Sequence, residues 1–346
     1  MSAARNGRDK PWKIDYVGVG NEPWGCGGDM RAEYYADEYQ KYALNIKTPR
    51  DNTPIEVASG AVRRRLRLDR SRHEECRQAD GRAFAALLHA ALRQFRRRRT
   101  RVRRCSSTKP TGSSTLKHTL QIDEMRQQTL GDHGQARSGR RRSALYVDEW
   151  GTWYDVEPGT NPGFLFQQNT LRDAVVAGLN LNVFHSHADR VRMTNIAQMI
   201  NVLQAMVLTD KEKMLLTPTY HVFEMYKPFQ NATLLPTELA TPDYKLGRRC
   251  DPGGAASRRR AALMARWCCR WSIPIPTSRR ASPRRSRGAA AKKMQRACSR
   301  TDAMNAHNTF DAPNAVQPAA FTGGKLKGDT WVFDLPAKSV VVATLN

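Results

Sequence analysis

Apolar positions recur along the chain with two different periods, and the periods alternate. Residues 14–20, IDYVGVG, form a short apolar run that closes on glycine and predicts a buried strand. Ala32, Tyr35, Ala36, Tyr39, Ala43 and Ile46 then fall at helical spacing within residues 31–46. Residues 144–149, ALYVDE, predict a second strand, this one ending in two carboxylates. Asn161 and Pro162 read as the cap and first turn of a helix that runs to about Ala177, with Gly178 as its stop. Residues 180–184, NLNVF, predict a third strand, and Ile196, Met199, Ile200, Leu203 and Val207 a helical stripe starting near Asn195. This alternation predicts an α/β protein, a parallel sheet covered by helices and either open or closed into a barrel. Residues 330–345, TWVFDLPAKSVVVATL, alternate and then run apolar around Pro336, as two antiparallel strands of a short C-terminal β domain would.

Length and charge change this picture in one respect. The 346 residues are enough for about two domains. No apolar run reaches the roughly 18 residues of a membrane span. The first residues, MSAARNGRDKPWKIDYV, carry no apolar signal region, so a cytoplasmic chain is expected. The formal charge is +25. It is concentrated in Arg-rich blocks at 63–105, 131–142 and 248–300, outside which the sequence is mildly acidic. Cys76, Cys105, Cys250, Cys268, Cys269 and Cys298 lie in the first and third blocks, leaving Cys26 elsewhere, and the spacings fit no metal pattern or disulfide framework. Three readings of the blocks stand. They are a basic nucleic-acid-binding arm, a solvated insertion, or coding sequence read out of frame. The last requires that another frame of the DNA yield ordinary protein sequence.

The candidate chemistry sits where strands end. Glu22, in VGVGNEPWGCGG, follows the first strand, and Glu149, in YVDEWGTW, closes another. In a parallel barrel such ends converge on the face that carries active sites. Two facing carboxyl groups suit glycoside hydrolysis, one as proton donor and the other as nucleophile, at about 5–5.5 Å for a retaining enzyme. Asn21 offers an amide to a sugar hydroxyl, and Trp24, Trp150 and Trp153 offer flat faces to its ring. Each has a plainer reading as a loop or core residue. His185 and His187 are spaced as a metal pair on a strand would be, but lack a third ligand and read as structural. Cys26 has no histidine near it in sequence, and the glycines around it match no phosphate loop. Tyr34, Tyr35, Tyr39 and Tyr42 read as helix packing.

WKIDYVGVGNEPWGCGGDMRAEYYADEYQKYA resembles the acid/base region of glycoside hydrolase family 51, the α-L-arabinofuranosidases. VDEWGTWYDVEPGTNPGFLFQQNTLRDAVVAGLNLNVFHSHADRV, with NIAQMINVLQAMVLT and TPTYHVFEMYKPF after it, is similar to that family's nucleophile region. STLKHTLQIDEM and DAMNAHNTFDAPNAV are weaker islands of likeness. The resemblance implies a (β/α)₈ barrel with a β-sandwich domain, the acid/base following the fourth strand and the nucleophile the seventh. It implies that Glu22 is the acid/base and Glu149 the nucleophile. Asn21 would contact the sugar's 2-hydroxyl, Trp153 would pack at the site, and Gln204 would bind the arabinosyl unit. It further implies terminal arabinofuranosyl residues of arabinan and arabinoxylan oligosaccharides as substrate, no metal or other cofactor, and a homo-oligomer.

On this basis residues 1–245 are expected to form an incomplete TIM barrel and 246–346 a remnant of the sandwich. The family's fifth-strand region, with its His-Tyr-Tyr sequence, is expected to be replaced by the first Arg block. The sixth strand's approach overlaps residues 131–142, and much of the sandwich is overwritten by the third block. With about four of eight barrel strands remaining, the chain is expected to be impaired, inactive or prone to aggregate. A basic nucleic-acid-binding protein and a non-catalytic carbohydrate-binding remnant are the alternatives.

Overall fold

The computed structural model describes residues 7, 13–23, 25–46, 54–59, 85–89, 144–234, 270–275, 280–285, 294–327 and 330–345. The chain divides into two compact units. The first comprises Met1–Ala90, Met125–Asp148 and Arg190–Met193, and the second Ala91–Glu124, Glu149–Asp189 and Thr194–Asn346.

The first unit is organised by a sheet of order β1-β2-β3-β4-β5. Its strands are β1 (Tyr16–Val19), β2 (Ile55–Ala58), β3 (Ala85–His89), β4 (Ala144–Trp150) and β5 (Val191–Ile196). β1 pairs with β2, and β2 with β3, in parallel. Helix α1 (Ala32–Asn45) buries Ala32, Tyr35, Ala36, Tyr39 and Ala43, the positions its periodicity marked. Register places Val19 beside Ala58, and both pack under α1 with Tyr35, Ala36, Tyr39 and Ala43. Gly18 and Val57 share the other face. There Val57 clusters with Tyr16, Tyr146, Ala144 and Met193. The rings of Tyr16 on β1 and Tyr146 on β4 lie 4.8 Å apart. On a flat sheet three strand spacings would separate them by roughly 14 Å, so the sheet is strongly curved with these tyrosines on its concave side. Burial and the neighbouring Tyr16 push the Tyr146 phenol up to about 12.

Two expectations about these strands are corrected. The segment after α1 carries a strand at Ile55–Ala58, ahead of the first Arg block, and β3 runs within that block. Five strands rather than about four are therefore present in the sheet. Parallel pairing is made by backbone groups, and β3 needs only the edge that β2 presents.

In the second unit α2 (Leu171–His185) is buried along nearly its whole length. Asp173 fixes its start by accepting from the Thr170 N–H at 2.7 Å and the Thr170 hydroxyl at 3.0 Å. Asn161 and Pro162 instead form a separate 3₁₀ turn, Pro162–Phe164, in which the Asn161 side chain accepts from the Gly163 N–H. Gly178 is no helix stop. It lies where α2 packs closest to its neighbours, a Cβ there standing 3.4 Å from Val340 Cγ1 and 3.5 Å from the Tyr226 hydroxyl. That hydroxyl shares its one proton between the Gly178 carbonyl at 3.2 Å and Asn182 Oδ1 at 3.0 Å. Residues 180–184, expected as a strand, thus continue the helix, because packing against Tyr226 outweighs their local preference. The stripe from Ile196 to Val207 is likewise no helix. β5 ends at Ile196, a loop follows with Leu203 buried and Met199 and Ile200 exposed, and β6 (Val207–Asp210) turns back as β7 (Lys213–Leu216). Helix α3 (Pro218–Tyr226) follows, its Thr217 cap accepting from the Tyr220 N–H.

The C-terminal strands form two antiparallel sheets. One has the order β11-β10-β14-β8, from Pro318–Ala320, Met294–Arg300, Ser339–Leu345 and Arg270–Ile275. The other has the order β12-β13-β9, from Gly324–Lys327, Thr330–Leu335 and Arg280–Arg285. The two strands expected around Pro336 are β13 and β14, but they belong to different sheets. β8, β9 and β10 run through the third Arg block, where side-chain periodicity gives no strand signal; β13 and β14 supply their backbone partners.

Candidate active site

In the first unit the loop after β1 carries Asn21 and Glu22. The Tyr35 hydroxyl fixes the strand ends beneath it, donating to the Val19 carbonyl and accepting from the Ser59 N–H, each at 2.6 Å. Glu22 adopts a left-handed backbone, φ 43°. Its carbonyl accepts from the N–H groups of Gly25 (2.8 Å) and Gly27 (3.1 Å), closing a tight loop. A Cβ at Gly27 would lie 1.7 Å from the Asn21 carbonyl oxygen, so only glycine fits there. The half-buried Glu22 carboxylate accepts from Cys26 Sγ at 2.8 Å, and Asn21 is exposed beside it. Cys26 is therefore a neighbour of the carboxylate, a contact that sequence spacing alone did not suggest. Trp24 lies outside the described residues.

In the second unit Glu149 is half-buried at the end of β4, followed by the fully buried Trp150. The chain then turns at Gly151, φ 143°, where a Cβ would stand 2.7 Å from Gln204 Cγ. Glycine at this position lets the Gln204 side chain lie against the backbone just past Glu149. The loop carrying Gln204 is tied to the same strand end, since the Ala197 N–H donates to the Trp150 carbonyl (3.0 Å) and the Gln204 N–H to the Ala197 carbonyl (2.8 Å). Trp153 packs on Ala197 and Leu203. The structure thus gathers Glu149, Trp153 and Gln204 in one place, and puts Asn21, Glu22 and Cys26 together in the other unit.

Gln204 is 1% exposed, and neither atom of its amide has a hydrogen-bond partner among the described residues. Trp153 Nε1 is buried and unpartnered in the same way. A buried polar group without a partner costs about 1–3 kcal/mol, and such groups beside a carboxylate suit a polar ligand. Around them hydrogen bonds and ring packing hold the frame. Thr152 Oγ1 donates to Asp173 (3.2 Å), the Tyr154 N–H to Gln167 (2.8 Å), and the Arg172 guanidinium lies 4.0 Å over the Tyr154 ring. Burial pushes the Tyr154 phenol up. The frame residues Thr152, Gln167 and Arg172 were not singled out in the sequence, because no motif distinguishes a buried polar scaffold residue from a surface one.

His185 and His187 are not on a strand. His185 closes α2, its ring against Tyr226 and Phe229, and His187 lies in the following turn. Among the described residues no group of three or more His, Cys, Asp or Glu is placed to hold a metal ion. Burial pushes the His185 imidazolium from 6.5 down to about 4. An unfolded chain therefore takes up this proton first as pH falls. The stabilisation from the neutral ring is complete above about pH 6.5 and is lost as pH falls towards 4. Between pH 7 and 5 stability should fall by about 2 kcal/mol through this group, as read from urea midpoints. His185→Phe should remove most of that loss; an unchanged pH dependence would count against this assignment.

The comparisons with known proteins agree with one another. The family model for the "Alpha-L-arabinofuranosidase C-terminal domain" matches residues 148–339. An "Intracellular exo-alpha-L-arabinofuranosidase" of Bacteroides ovatus is 36% identical over 354 residues, spanning 99% of this chain and 66% of its own length. The crystal structure of the family 51 arabinofuranosidase from Xanthomonas axonopodis pv. citri matches at 36% identity and a TM-score of 0.77, over 99% of this chain and 68% of that one. An arabinofuranosidase from Thermotoga maritima, solved as an arabinose complex, shares the fold at 18% identity and a TM-score of 0.69, over 99% of this chain and 68% of its own. These relatives place the chain among the glycosidases. The chain belongs to the α-L-arabinofuranosidases of glycoside hydrolase family 51. It spans about two thirds of the length of these relatives.

Proposed function

We propose that this chain carries the machinery of a retaining exo-acting α-L-arabinofuranosidase. Its substrate is a terminal arabinofuranosyl unit of an arabinan- or arabinoxylan-type oligosaccharide. Glu22, as the acid, protonates the departing glycosidic oxygen while Glu149 attacks the anomeric carbon. Glu22, as the base, then activates the water that releases arabinose with retained configuration. Asn21 and Gln204 hydrogen-bond the sugar, and Trp153 packs at the site. The observation that carries this reading is the unbonded, buried Gln204 amide lying against the backbone two residues past Glu149.

The strongly curved sheet supports reading residues 1–245 as a partial TIM barrel, β1 to β5 corresponding to its fourth to eighth strands. Two strands separate the Glu22 strand from the Glu149 strand in the sheet order, as the family's spacing requires. Residues 246–346 are then the β-sandwich domain. Catalytic groups must be held to about 0.5 Å by their surroundings, and Arg-rich sequence occupies the span between β2 and β4, so turnover is reduced. The Arg blocks lie within the 99% of the chain that matches the Bacteroides relative, which favours replaced family sequence over a nucleic-acid-binding module. No described helix is long and apolar enough to cross a membrane. We take the site of action to be the cytoplasm, following the name of that relative.

The test is release of nitrophenol from its α-L-arabinofuranoside by the full chain. A slow rate is expected, falling to background in Glu149→Ala. A rate that survives this substitution, or the absence of both release and any arabinosyl adduct on Glu149, overturns the proposal.

A further inference from the structure

We infer that Asn169 and Thr217 are positioning residues for Gln204, acting together through the carbonyl of Ala205. The inference rests on the arabinofuranosidase reading, which makes Gln204 a sugar ligand. Asn169 directly precedes the Thr170 cap of α2, and Thr217 is itself the cap of α3. Both are 0% exposed. Asn169 Nδ2 donates to the Ala205 carbonyl at 2.9 Å, and Thr217 Oγ1 donates to the same oxygen at 2.8 Å. The Thr217 N–H also donates to the Met206 carbonyl at 3.0 Å. Two helix starts therefore grip the peptide between Ala205 and Met206, one residue past Gln204.

The peptide before it is under a different constraint. Leu203 has a left-handed backbone, φ 49°, and so does Asn201, φ 57°. Side chains as bulky as leucine rarely adopt this conformation, which persists only where the surroundings over-determine it. The loop is closed at its base by the Gln204 N–H on the Ala197 carbonyl. The clamp on Ala205 supplies the other fixed point, so the turn at Leu203 cannot relax and Gln204 stays directed at Gly151. Neither clamp residue touches the sugar. Loss of either lets Leu203 return to an ordinary backbone angle and turns the Gln204 amide away.

The test is titration of the full chain with the iminosugar analogue of L-arabinofuranose. Thr217→Val keeps the shape and removes the donor, and Asn169→Leu does the same at the other helix start. Each should weaken binding by about tenfold, while Thr217→Ser, which keeps the hydroxyl, should bind within about twofold of the parent. In a Gln204→Ala background the same substitutions should have no further effect on affinity, a coupling that a merely stabilising role would not produce. Parent-like binding by Thr217→Val and Asn169→Leu, alongside weakened binding by Gln204→Ala, overturns the clamp. Additive losses in the Gln204→Ala background overturn it as well. If Thr217→Val fails to fold, Asn169→Leu carries the same comparison. A parent chain that does not bind the probe overturns the arabinofuranosidase reading instead.

Discussion

Glu22→Ala is expected to slow arabinose release from an arabinan oligosaccharide by about 10²–10⁴-fold. Release of dinitrophenol from its arabinofuranoside should slow far less. The two substrates differ in what the departing oxygen needs. A sugar alkoxide leaves only if a proton reaches it in the transition state, whereas a dinitrophenolate leaves unaided. In the proposed mechanism the second step also needs Glu22, now as the base that activates water. With the activated substrate the arabinosyl adduct on Glu149 should therefore accumulate, visible by intact mass. Added azide, which needs no base, should discharge it as an arabinosyl azide of retained configuration. Equal slowing on both substrates, with no adduct and no azide product, would remove Glu22 from the acid/base role. The contact from Cys26 sharpens the comparison. Cys26→Ser offers a hydroxyl at the same carboxylate and should leave the ratio of the two rates nearly unchanged.

What the sequence disclosed depended on whether a residue's neighbours were local. α1 was legible because its buried set, from Ala32 to Ala43, repeats at helical spacing on one face. β4 was legible because ALYVDE is a short apolar run ending in carboxylates. That same pattern marked Glu149, and the glycine after β1 marked Glu22. α2 was cut short at Gly178 because glycine in a helix ordinarily signals its end. Here it signals the approach of Val340 and Tyr226, residues far off in sequence. The residues from Ile196 to Val207 carry an apolar repeat that fits a helix, yet they bend through left-handed turns to present Gln204. Asn169 and Thr217 were invisible for the same reason, their bonds running to a carbonyl 36 and 12 residues away. Gln204 itself was reached only through resemblance, since a glutamine in NVLQ carries no local signal.

The largest stability effect is expected at Trp150. Its side chain is 0% exposed, edge-on to Phe184 at 5.3 Å and stacked on Phe223 at 6.0 Å. Trp150→Ala should cost about 3–5 kcal/mol, a large share of the roughly 5–15 kcal/mol that holds a typical domain together. The cavity would open between α2 and α3 at the residue next to Glu149, so binding of the iminosugar should be lost along with stability. Trp150→Phe separates two contributions. It keeps an aromatic ring against Phe184 and Phe223, and it discards an indole N–H that has no partner among the described residues. Removing an unsatisfied donor recovers part of what the lost ring volume costs, so the phenylalanine variant should lie within about 1.5 kcal/mol of the parent. Urea unfolding of the three proteins measures both differences. Were Trp150→Phe to cost as much as Trp150→Ala, the indole N–H would be engaged in the folded chain, and the strand end carrying Glu149 would be held by that bond rather than by aromatic packing.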